Sequence, residues 1–371
     1  MLDAAGTSDS ALRSNPVAPD TADLIAAVER WLADFLTAEV AALVALDPAL
    51  APLAEAARAA ALDGGKRLRP AFAYWGWRGV AGPAAAVAPV LPAFTALELL
   101  HAFALVHDDV MDASATRRGR PTVHRAFAAD HLALRLRGSA RRFGAANAIL
   151  VGDLCLVWAD RLIARSGLPA DTVAVARGAY DEMRIEAVAG QFLDILGEAS
   201  RTWSVARALR VARLKTASYT VVRPLRYGAA LAPGQPATWQ ERVAAAYRRY
   251  GYAVGEAFQL RDDLLGAYGD PAVTGKPAGE DLTSGKPTVL LMLARQLADG
   301  RQRRELERRL ARADAVRTAA LIRETGAVDE VEAMIAHRLA EASRAMDEAP
   351  IDPAARAALR ALAMAAARRQ A

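Results

Sequence analysis

The chain has 371 residues, a length that allows one large helical domain or two smaller domains. Hydrophobic residues make up 53% of it and aromatic residues only 6%; the abundance of Ala and Leu favours closely packed helices over sheets. The net charge is +5, but 24% of the residues are charged with mixed sign and no continuous basic stripe, which argues against nucleic-acid binding.

The predicted elements begin after a polar, proline-containing stretch. Residues 1–20 lack the basic-then-apolar pattern of a secretory signal, so we expect a disordered tail. Residues 21–371 are expected to form one helical domain, because no strand alternation and no fixed repeat interrupts the helical periodicity. The predicted helices lie at 20–46, 49–62, 66–77, 92–112, 121–134, 143–166, 169–198, 203–231, 237–268, 286–298, 301–313, 315–324, 327–346 and 352–369.

The predicted location is cytoplasmic, with no transmembrane segment. The most apolar window, residues 84–106, is broken by Pro89 and Pro92 and carries Glu98, so it predicts a buried helix rather than a membrane span. The single cysteine, Cys155, lies in an apolar run and is expected to be a buried thiol in a reducing compartment.

Two aspartate clusters stand at the ends of predicted helices. One is residues 107–112 (HDDVMD) and the other is residues 259–270 (QLRDDLLGAYGD). On a helix, Asp108 and Asp112 are an i, i+4 pair and point the same way. Crowded carboxylates repel one another unless a cation lies between them, and Mg²⁺ is typically bound by a few carboxylates together with substrate phosphates. A solvated acidic helix end would explain one such cluster, but it explains two poorly.

The lysines are the second unusual feature. Of 47 Lys and Arg residues only four are lysines, and all four lie in turn-rich or motif-like surroundings. Lysine is a compact charge with three donors, suited to phosphate oxygens. We therefore interpret as phosphate ligands, rather than accidental survivors, Lys66, Lys215, Lys276 and Lys286. Two of them lie in the Gly- and Pro-rich segment 269–287, which predicts a lid over a polyanion, with a solvated connector as the alternative.

Several motifs, in order along the chain, carry a resemblance to a known family. They are residues 64–70 (GGKRLRP), 108–112 with 116–122 (TRRGRPT), 215–216 (KT) and 258–263 (FQLRDD). Together they resemble the trans-isoprenyl diphosphate synthases, or polyprenyl synthetases, over roughly residues 25–350. The resemblance implies an all-α fold, with a single large bundle of mostly antiparallel helices around a central cavity, and a homodimer.

The same resemblance implies the chemistry. Family members condense isopentenyl diphosphate with an allylic diphosphate. Ionisation of the allylic C–O bond leaves a carbocation and diphosphate, and Mg²⁺ ions clamped between the two aspartate-bearing helices neutralise the charge of the leaving group. The isopentenyl double bond attacks the cation, the released diphosphate takes the last proton, and the apolar interior excludes water. We therefore expect a prenyltransferase that uses several Mg²⁺ ions per site.

Site residues carry over by their positions in these motifs. The expected metal ligands are Asp108, Asp112 and Asp262, with Asp109 and Asp263 as near neighbours. The expected contacts to isopentenyl diphosphate are Lys66, Arg69, His101 and Arg118. The expected contacts to the allylic substrate are Arg117, Lys215, Thr216, Gln259 and Lys276. Catalysis is expected to depend most on Asp108, Asp112, Asp262 and Lys215.

Three further features belong to the predicted site. His101 stands seven residues before Asp108 and so on the same helical face; a core histidine is the alternative. Residues 190–194 (GQFLD) also fit a family pattern, with Gln191 and Asp194 in a supporting role. Gly266 stands where the simplest DDxxD spacing would place a third aspartate. Either the next carboxylate, Asp270, or a water would fill that coordination position.

Product length is expected to depend on Phe103 and Ala104. These are the fifth and fourth residues before Asp108, and five residues of helix span about 7.5 Å. The resemblance implies that an aromatic floor at 103, a small residue at 104 and no insertion between Asp109 and Asp112 give a C20 product, with C15 as the runner-up. The alternative is that Phe103 only packs in the core.

Other classes of protein remain open at this point. A class I terpene cyclase shares the fold and the first aspartate motif, but it would replace the second with an Asn/Ser/Glu triad and would not need Lys66 and Arg69. A non-catalytic partner subunit of a two-component synthase usually lacks one or both aspartate motifs, and both are present here. A structural scaffold gives no reason for the lysine distribution.

Overall fold

The computed structural model describes residues 21–200, 202–232, 234, 237–269, 279–283 and 285–367. The first helices are α1 (Thr21–Leu46), α2 (Ala51–Leu62), α3 (Leu68–Ala81), α4 (Leu91–Met111), α5 (Val123–Ala133), α6 (Ala140–Ala164), α7 (Ala170–Ala199) and α8 (Val205–Val211). A π-helix (Ala212–Val222) follows α8 directly. The later helices are α9 (Arg223–Ala230), α10 (Ala237–Tyr268), α11 (Glu280–Thr283), α12 (Val289–Leu297), α13 (Gly300–Leu310), α14 (Ala315–Glu324), α15 (Ala327–Asp347) and α16 (Pro353–Ala367).

The all-α class predicted from the sequence is confirmed, and the described helices begin and end within a few residues of the predicted bounds. Three details differ. Residues 203–231, predicted as one helix, contain the π-helix; the segment 269–287 contains α11; and a hairpin of two-residue strands, β1 (Thr116–Arg117) and β2 (Arg120–Pro121), interrupts the helical pattern. The predicted tail, residues 1–20, lies outside the described residues, and the single domain over 21–371 stays a prediction.

The chain divides into two compact units, Met1–Ala176 with Gly228–Pro233 and Arg177–Tyr227 with Gly234–Ala371. In the first unit, α4 and α5 pack against α6, and α1, α2 and α3 each contact α4. Burial falls along α4: residues 91–100 are all buried, whereas from His101 to Met111 only Ala102, Val106 and Asp109 are buried. Within α4, therefore, the C-terminal half is the part that can contribute to a site surface.

In the second unit, α10 is the central helix. It packs against the π-helix, α15 and α16. Its C-terminal half forms a core with α12 and α15 that includes Leu260, Leu264 and Leu290. This packing leaves one face of α10 for polar residues. Gln259 and Asp262 lie half-buried among the buried leucines.

One helix among the described residues, α6, is long and apolar enough in composition to cross a bilayer. A single such helix is weak evidence, because the core helix of a soluble protein passes the same test. Helix α6 packs against α4 and α5 and contains the buried Cys155, and burial raises the pKa of this thiol to about 12. The cytoplasmic location stays a prediction.

Candidate active site

The basic motif at 64–70 forms a loop that leads into α3. Arg67, at the turn into the helix, adopts a left-handed conformation with φ 47° and is buried. Its guanidinium donates to the Glu98 carboxylate of α4 at 2.6 Å. This buried ion pair fixes the loop on α4 and leaves Lys66 exposed and Arg69 half-buried. The sequence interpretation missed the role of Arg67; the signal was Glu98, a lone carboxylate in an apolar window.

The hairpin at 116–121 places Arg118 against the same loop. Arg118 and Gly119 form its two-residue turn with φ values of 52° and 74°, as a type I′ turn requires. From there the Arg118 guanidinium donates to the carbonyl oxygens of Asp63 and Gly64, the latter at 2.6 Å. The hairpin therefore adds a cation to the cluster that holds Lys66 and Arg69.

His101 belongs electrostatically to this cationic cluster. Burial lowers its pKa well below the usual value, and the nearby guanidinium groups of Arg69 and Arg118 lower it further. The imidazole is consequently neutral at physiological pH. A neutral imidazole can still donate a hydrogen bond to an anion without adding to the repulsion among the arginines.

The first aspartate cluster is divided between two environments. Asp109 is buried, and Arg117 donates to both of its carboxylate oxygens at 2.7–2.9 Å. The Asp108 carboxylate lies 3.6 Å from the same guanidinium, and its side chain is 20% exposed. Asp112 follows the last residue of α4 as its C-cap and is exposed. Asp108 and Asp112 are therefore the carboxylates of this cluster that are more open to an incoming cation.

Phe103 and Ala104 both lie half-buried on α4, just before this cluster. The Phe103 ring packs edge-to-face on the imidazole of His107, with ring centroids 4.8 Å apart. Phe103 is thus held in place by a neighbour rather than projecting freely.

In the second unit, Lys215 and Thr216 are carried by the π-helix. Such segments are rare and often lie at functional sites. Glycines allow two neighbouring helices to approach its backbone. A Cβ at Gly190 of α7 would lie 2.5 Å from the backbone nitrogen of Lys215, and one at Gly255 of α10 would overlap Ala217. At these two contacts, the π-helix therefore packs so closely against α7 and α10 that no side chain fits between them.

One carboxylate holds two of the four lysines. The Asp194 side chain, 9% exposed, accepts from Lys215 at 2.7 Å and lies 3.1 Å from the Lys286 ammonium group. The structure thus brings together two lysines that the sequence interpretation assigned to phosphate. The supporting role expected of Asp194 stays a prediction. Lys276 lies outside the described residues.

A chain of hydrogen bonds links the π-helix to the second aspartate cluster. Thr216 donates to Gln259 at 2.6 Å, Gln259 donates to Asp263 at 2.9 Å, and the backbone N–H of Val289 donates to the other oxygen of Asp263. Burial raises the pKa of Asp263 to about 7, although the bond from Gln259 opposes the rise. The four residues joined by these hydrogen bonds line one cavity of about 80 Å³, together with Lys215 and Lys286.

Asp281 occupies the space of the missing aspartate. A Cβ added at Gly266 would overlap the carboxylate of Asp281 in α11, and the backbone N–H of Gly279 donates to the Gly266 carbonyl at 2.9 Å. Glycine at 266 thus makes room for a carboxylate that comes from further along the chain. Asp270, the replacement considered from the sequence, lies outside the described residues.

Glu256 is a further residue that the sequence interpretation missed. It is 1% exposed on α10, and it pairs with Arg213 of the π-helix and, at 2.8 Å, with Arg338 of α15. The available signal was a single glutamate within an apolar stretch of α10. Glu256 ties the start of the π-helix to two other helices.

The donor set suits a hard cation. Asp108, Asp112 and Asp262 offer oxygen ligands only, and no three His, Cys, Asp or Glu side chains among the described residues converge as a ready-made metal site. Carboxylates that share Mg²⁺ with phosphate oxygens need not form such a cluster on their own. The fold is that of an all-α protein, and the carboxylates and cations of each unit are of the types that bind divalent metal and phosphate.

Comparisons with known proteins agree with this class. The sequence model of the polyprenyl synthetase family matches residues 51–324. The chain is 34% identical over 273 residues to the geranylfarnesyl diphosphate synthase of Aeropyrum pernix, covering 72% of this chain and 79% of that one. It is 38% identical over 236 residues to the geranylgeranyl diphosphate synthase of Mycobacterium tuberculosis, covering 63% of this chain and 60% of that one.

A solved structure extends the likeness to the fold. The geranylgeranyl pyrophosphate synthase from Corynebacterium glutamicum, complexed with isoprenyl diphosphate and magnesium, matches with a TM-score of 0.89 and 40% identity, over 95% of this chain and all of that one. The chain belongs to the polyprenyl synthetase family. It is a prenyltransferase of isoprenoid biosynthesis that makes a short-chain prenyl diphosphate.

Proposed function

We propose that the product is geranylgeranyl diphosphate, the C20 chain. The observation that carries this proposal is the half-buried Phe103 five residues before Asp108, with the small Ala104 beside it. An aromatic ring at this distance closes the space for the growing chain, and Ala104 leaves room before it. The C20 product named for the Mycobacterium tuberculosis and Corynebacterium glutamicum relatives supports the same length.

The test is a product analysis with labelled isopentenyl diphosphate and each allylic primer in turn. The wild-type enzyme is expected to stop at C20 with every primer shorter than that. Phe103→Ala should give longer products and Ala104→Phe shorter ones. Termination at C15 by the wild type would support the runner-up, farnesyl diphosphate, and an unchanged distribution in both variants would remove Phe103 as the floor.

For the metal, we propose that Asp108, Asp112 and Asp262 bind several Mg²⁺ ions together with diphosphate. Bound Mg²⁺ would neutralise the negative charge that develops on the leaving diphosphate. The two remaining aspartates have other partners in the structure. Asp109 orients Arg117, and Asp263 orients Gln259; direct metal binding by either of them stays a prediction.

Asp281 is proposed to complete the second cluster. Its carboxylate takes the space that a side chain at 266 would occupy, so it stands near the end of the helix that carries Asp262. It would act there in place of the third aspartate of a DDxxD motif.

The isopentenyl diphosphate site is proposed to be the cationic cluster of the first unit. Lys66, Arg69 and Arg118 would bind the diphosphate by charge, while the neutral His101 would donate a single hydrogen bond. The buried pair between Arg67 and Glu98 holds the loop in place for them. Pre-positioned cations of this kind lower the ordering cost of binding.

The allylic diphosphate is proposed to bind Arg117, Lys215, Thr216, Gln259 and Lys276. Asp194 would keep the ammonium groups of Lys215 and Lys286 together before the substrate arrives. A diphosphate carries more charge than one carboxylate and can draw both lysines to itself. The hydrogen-bond chain through Gln259 would fix the orientation of Thr216.

We also propose a homodimer formed through α7. Ile185, Val188, Phe192 and Ile195 are all large, apolar and at least 41% exposed. Their spacing of three or four residues places them on one face of the helix. An exposed apolar stripe of this length marks a protein interface, and a second copy of the chain is the partner that the sequence resemblance implies.

A further inference from the structure

His107, the residue before Asp108, is seated against helix α6. Its Nε2 lies 3.0 Å from the carbonyl oxygen of Ile149, so the Nε2–H tautomer donates a hydrogen bond there. The same nitrogen lies 3.7 Å from the Asp153 carboxylate, and the side chain is only 20% exposed. The imidazole is therefore packed onto the surface of α6 rather than directed into solvent.

Gly152 makes this seat possible. A Cβ at position 152 would overlap the Cδ2 and Nε2 atoms of the His107 ring. Glycine within a helix costs about 1 kcal/mol relative to alanine. Gly152 is buried in the middle of α6 and does not have a positive φ, so backbone conformation gives no reason for it. The close approach of the imidazole does.

Phe103 packs on the same imidazole. It lies one turn earlier on α4, its ring centroid is 4.8 Å from that of His107, and the ring planes meet at 63°. This is a favourable edge-to-face arrangement. The position of the Phe103 ring is thus fixed in two steps: the Gly152 backbone seats His107, and His107 supports Phe103.

We infer that Gly152 and His107 are specificity-determining residues, which set product length by fixing where Phe103 stands. The inference rests on the proposed role of Phe103 as the floor. A methyl group at 152 pushes the imidazole away from α6, and Phe103 moves with it into the space beside Ala104, which shortens the product. Removal of the imidazole leaves room into which Phe103 turns, which lengthens the product.

The test compares product distributions, with dimethylallyl diphosphate as primer, for Gly152→Ala, His107→Ala, the double variant and Phe103→Ala. Gly152→Ala is expected to raise the ratio of C15 to C20 about tenfold, the discrimination typical of a small shift in a hydrophobic wall. His107→Ala should lower the ratio and add C25. The double variant should match His107→Ala, because the methyl group then has no ring to displace. Gly178→Ala, a helical glycine with open space around it, is the matched control and should change nothing.

Two results would overturn the inference. One is an equal effect of Gly152→Ala with and without His107. The other is an unchanged ratio in Gly152→Ala and His107→Ala while Phe103→Ala shifts the products; the floor would then stand without this support. If Phe103→Ala itself changes nothing, the proposed floor fails instead, and the inference with it. The ratio of products does not depend on how fast a variant turns over, so a slower variant is still informative. If Gly152→Ala does not fold, His107→Ala alone tests the inference.

Discussion

His101 shows how its surroundings set the chemistry of one residue. Burial and the neighbouring Arg69 and Arg118 lower its pKa well below the usual value. The imidazole therefore stays neutral at a pH at which a free histidine side chain in solution would begin to protonate. We expect His101→Gln to keep the KM for isopentenyl diphosphate nearly unchanged, because an amide also donates one hydrogen bond. His101→Ala should raise it about 10- to 100-fold, the cost of a lost hydrogen bond to a charged group.

The measurement is this KM between pH 6 and pH 8. Because the pKa is lowered, the imidazole has already lost its proton throughout this window. The pH dependence of the KM should therefore be the same in the wild type and in His101→Gln. A KM that improves on acidification in the wild type but not in His101→Gln would show that the protonated form binds the substrate.

Moving the carboxylate from position 281 to position 266 should preserve Mg²⁺ binding. Asp281→Asn should raise the Mg²⁺ concentration for half-maximal turnover about tenfold, in the range seen when groups around a metal site are removed. Gly266→Asp alone should be poorly active, because its side chain meets Asp281. The double variant Gly266→Asp with Asp281→Ala should recover most of the Mg²⁺ affinity, since a carboxylate then stands at 266.

Manganese binding measured by electron paramagnetic resonance, in the presence of an unreactive allylic diphosphate analogue, gives a readout independent of turnover. Glu324→Gln, an exposed carboxylate on α14, is the control for loss of one negative charge. Unchanged metal affinity in Asp281→Asn would remove Asp281 from the site.

Among the elements, the ordinary helices could be predicted and the π-helix could not. Apolar residues at helical spacing mark an α-helix wherever it packs, so bounds such as those of α10 and α15 follow from local sequence. The π-helix depends on contacts between distant segments: the close approaches at Gly190 and Gly255 and the buried Glu256. No periodicity within residues 212–222 contains that information.

Replacement of Glu256 tests what its contacts contribute to the π-helix. Glu256→Gln leaves Arg213 and Arg338 without their buried partner and should lower the free energy of unfolding by about 2–3 kcal/mol, near the lower end for a broken buried ion pair because both arginines are partly exposed. It should also raise the KM for the allylic substrate, since Arg213 stands two residues before Lys215. Urea unfolding and steady-state kinetics measure the two effects.

Glu348→Gln is the matched control, because it removes an exposed pair to Arg249 on the same helix α10 and should cost less than about 1 kcal/mol. A destabilised Glu256→Gln with an unchanged KM would mean that the ion pairs of Glu256 support the fold but not the position of Lys215.

For the whole molecule, the sequence predicted the class and the order of the motifs but not which groups would be neighbours. The scarcity of lysine identified Lys215 and Lys286, while their shared partner Asp194 appears only when α7 and the segment before α12 are folded. In the same way, Gly266 is visible in the sequence as a departure, but the carboxylate that replaces it arrives from α11 through tertiary structure.

The proposed homodimer is a prediction about the whole molecule. The wild type should have twice the 39.4 kDa mass of the chain by light scattering, and Phe192→Glu should dissociate it, because burying an unpaired charge in an interface is costly. Val316→Glu, at an apolar residue of α14 that is 82% exposed, should leave the mass unchanged. A monomeric wild type, or a dimeric Phe192→Glu, would contradict the assignment of this face.

Turnover of the aspartate variants tests the central claim, that Asp108, Asp112 and Asp262 hold Mg²⁺ against diphosphate. Incorporation of labelled isopentenyl diphosphate into product should fall about a thousandfold in Asp108→Ala at saturating Mg²⁺, which corresponds to about 4 kcal/mol of lost transition-state stabilisation. The helical circular dichroism should stay that of the wild type, because Asp108 is partly exposed at the end of α4 and packs in no core. Near-wild-type turnover by a correctly folded Asp108→Ala would contradict the claim.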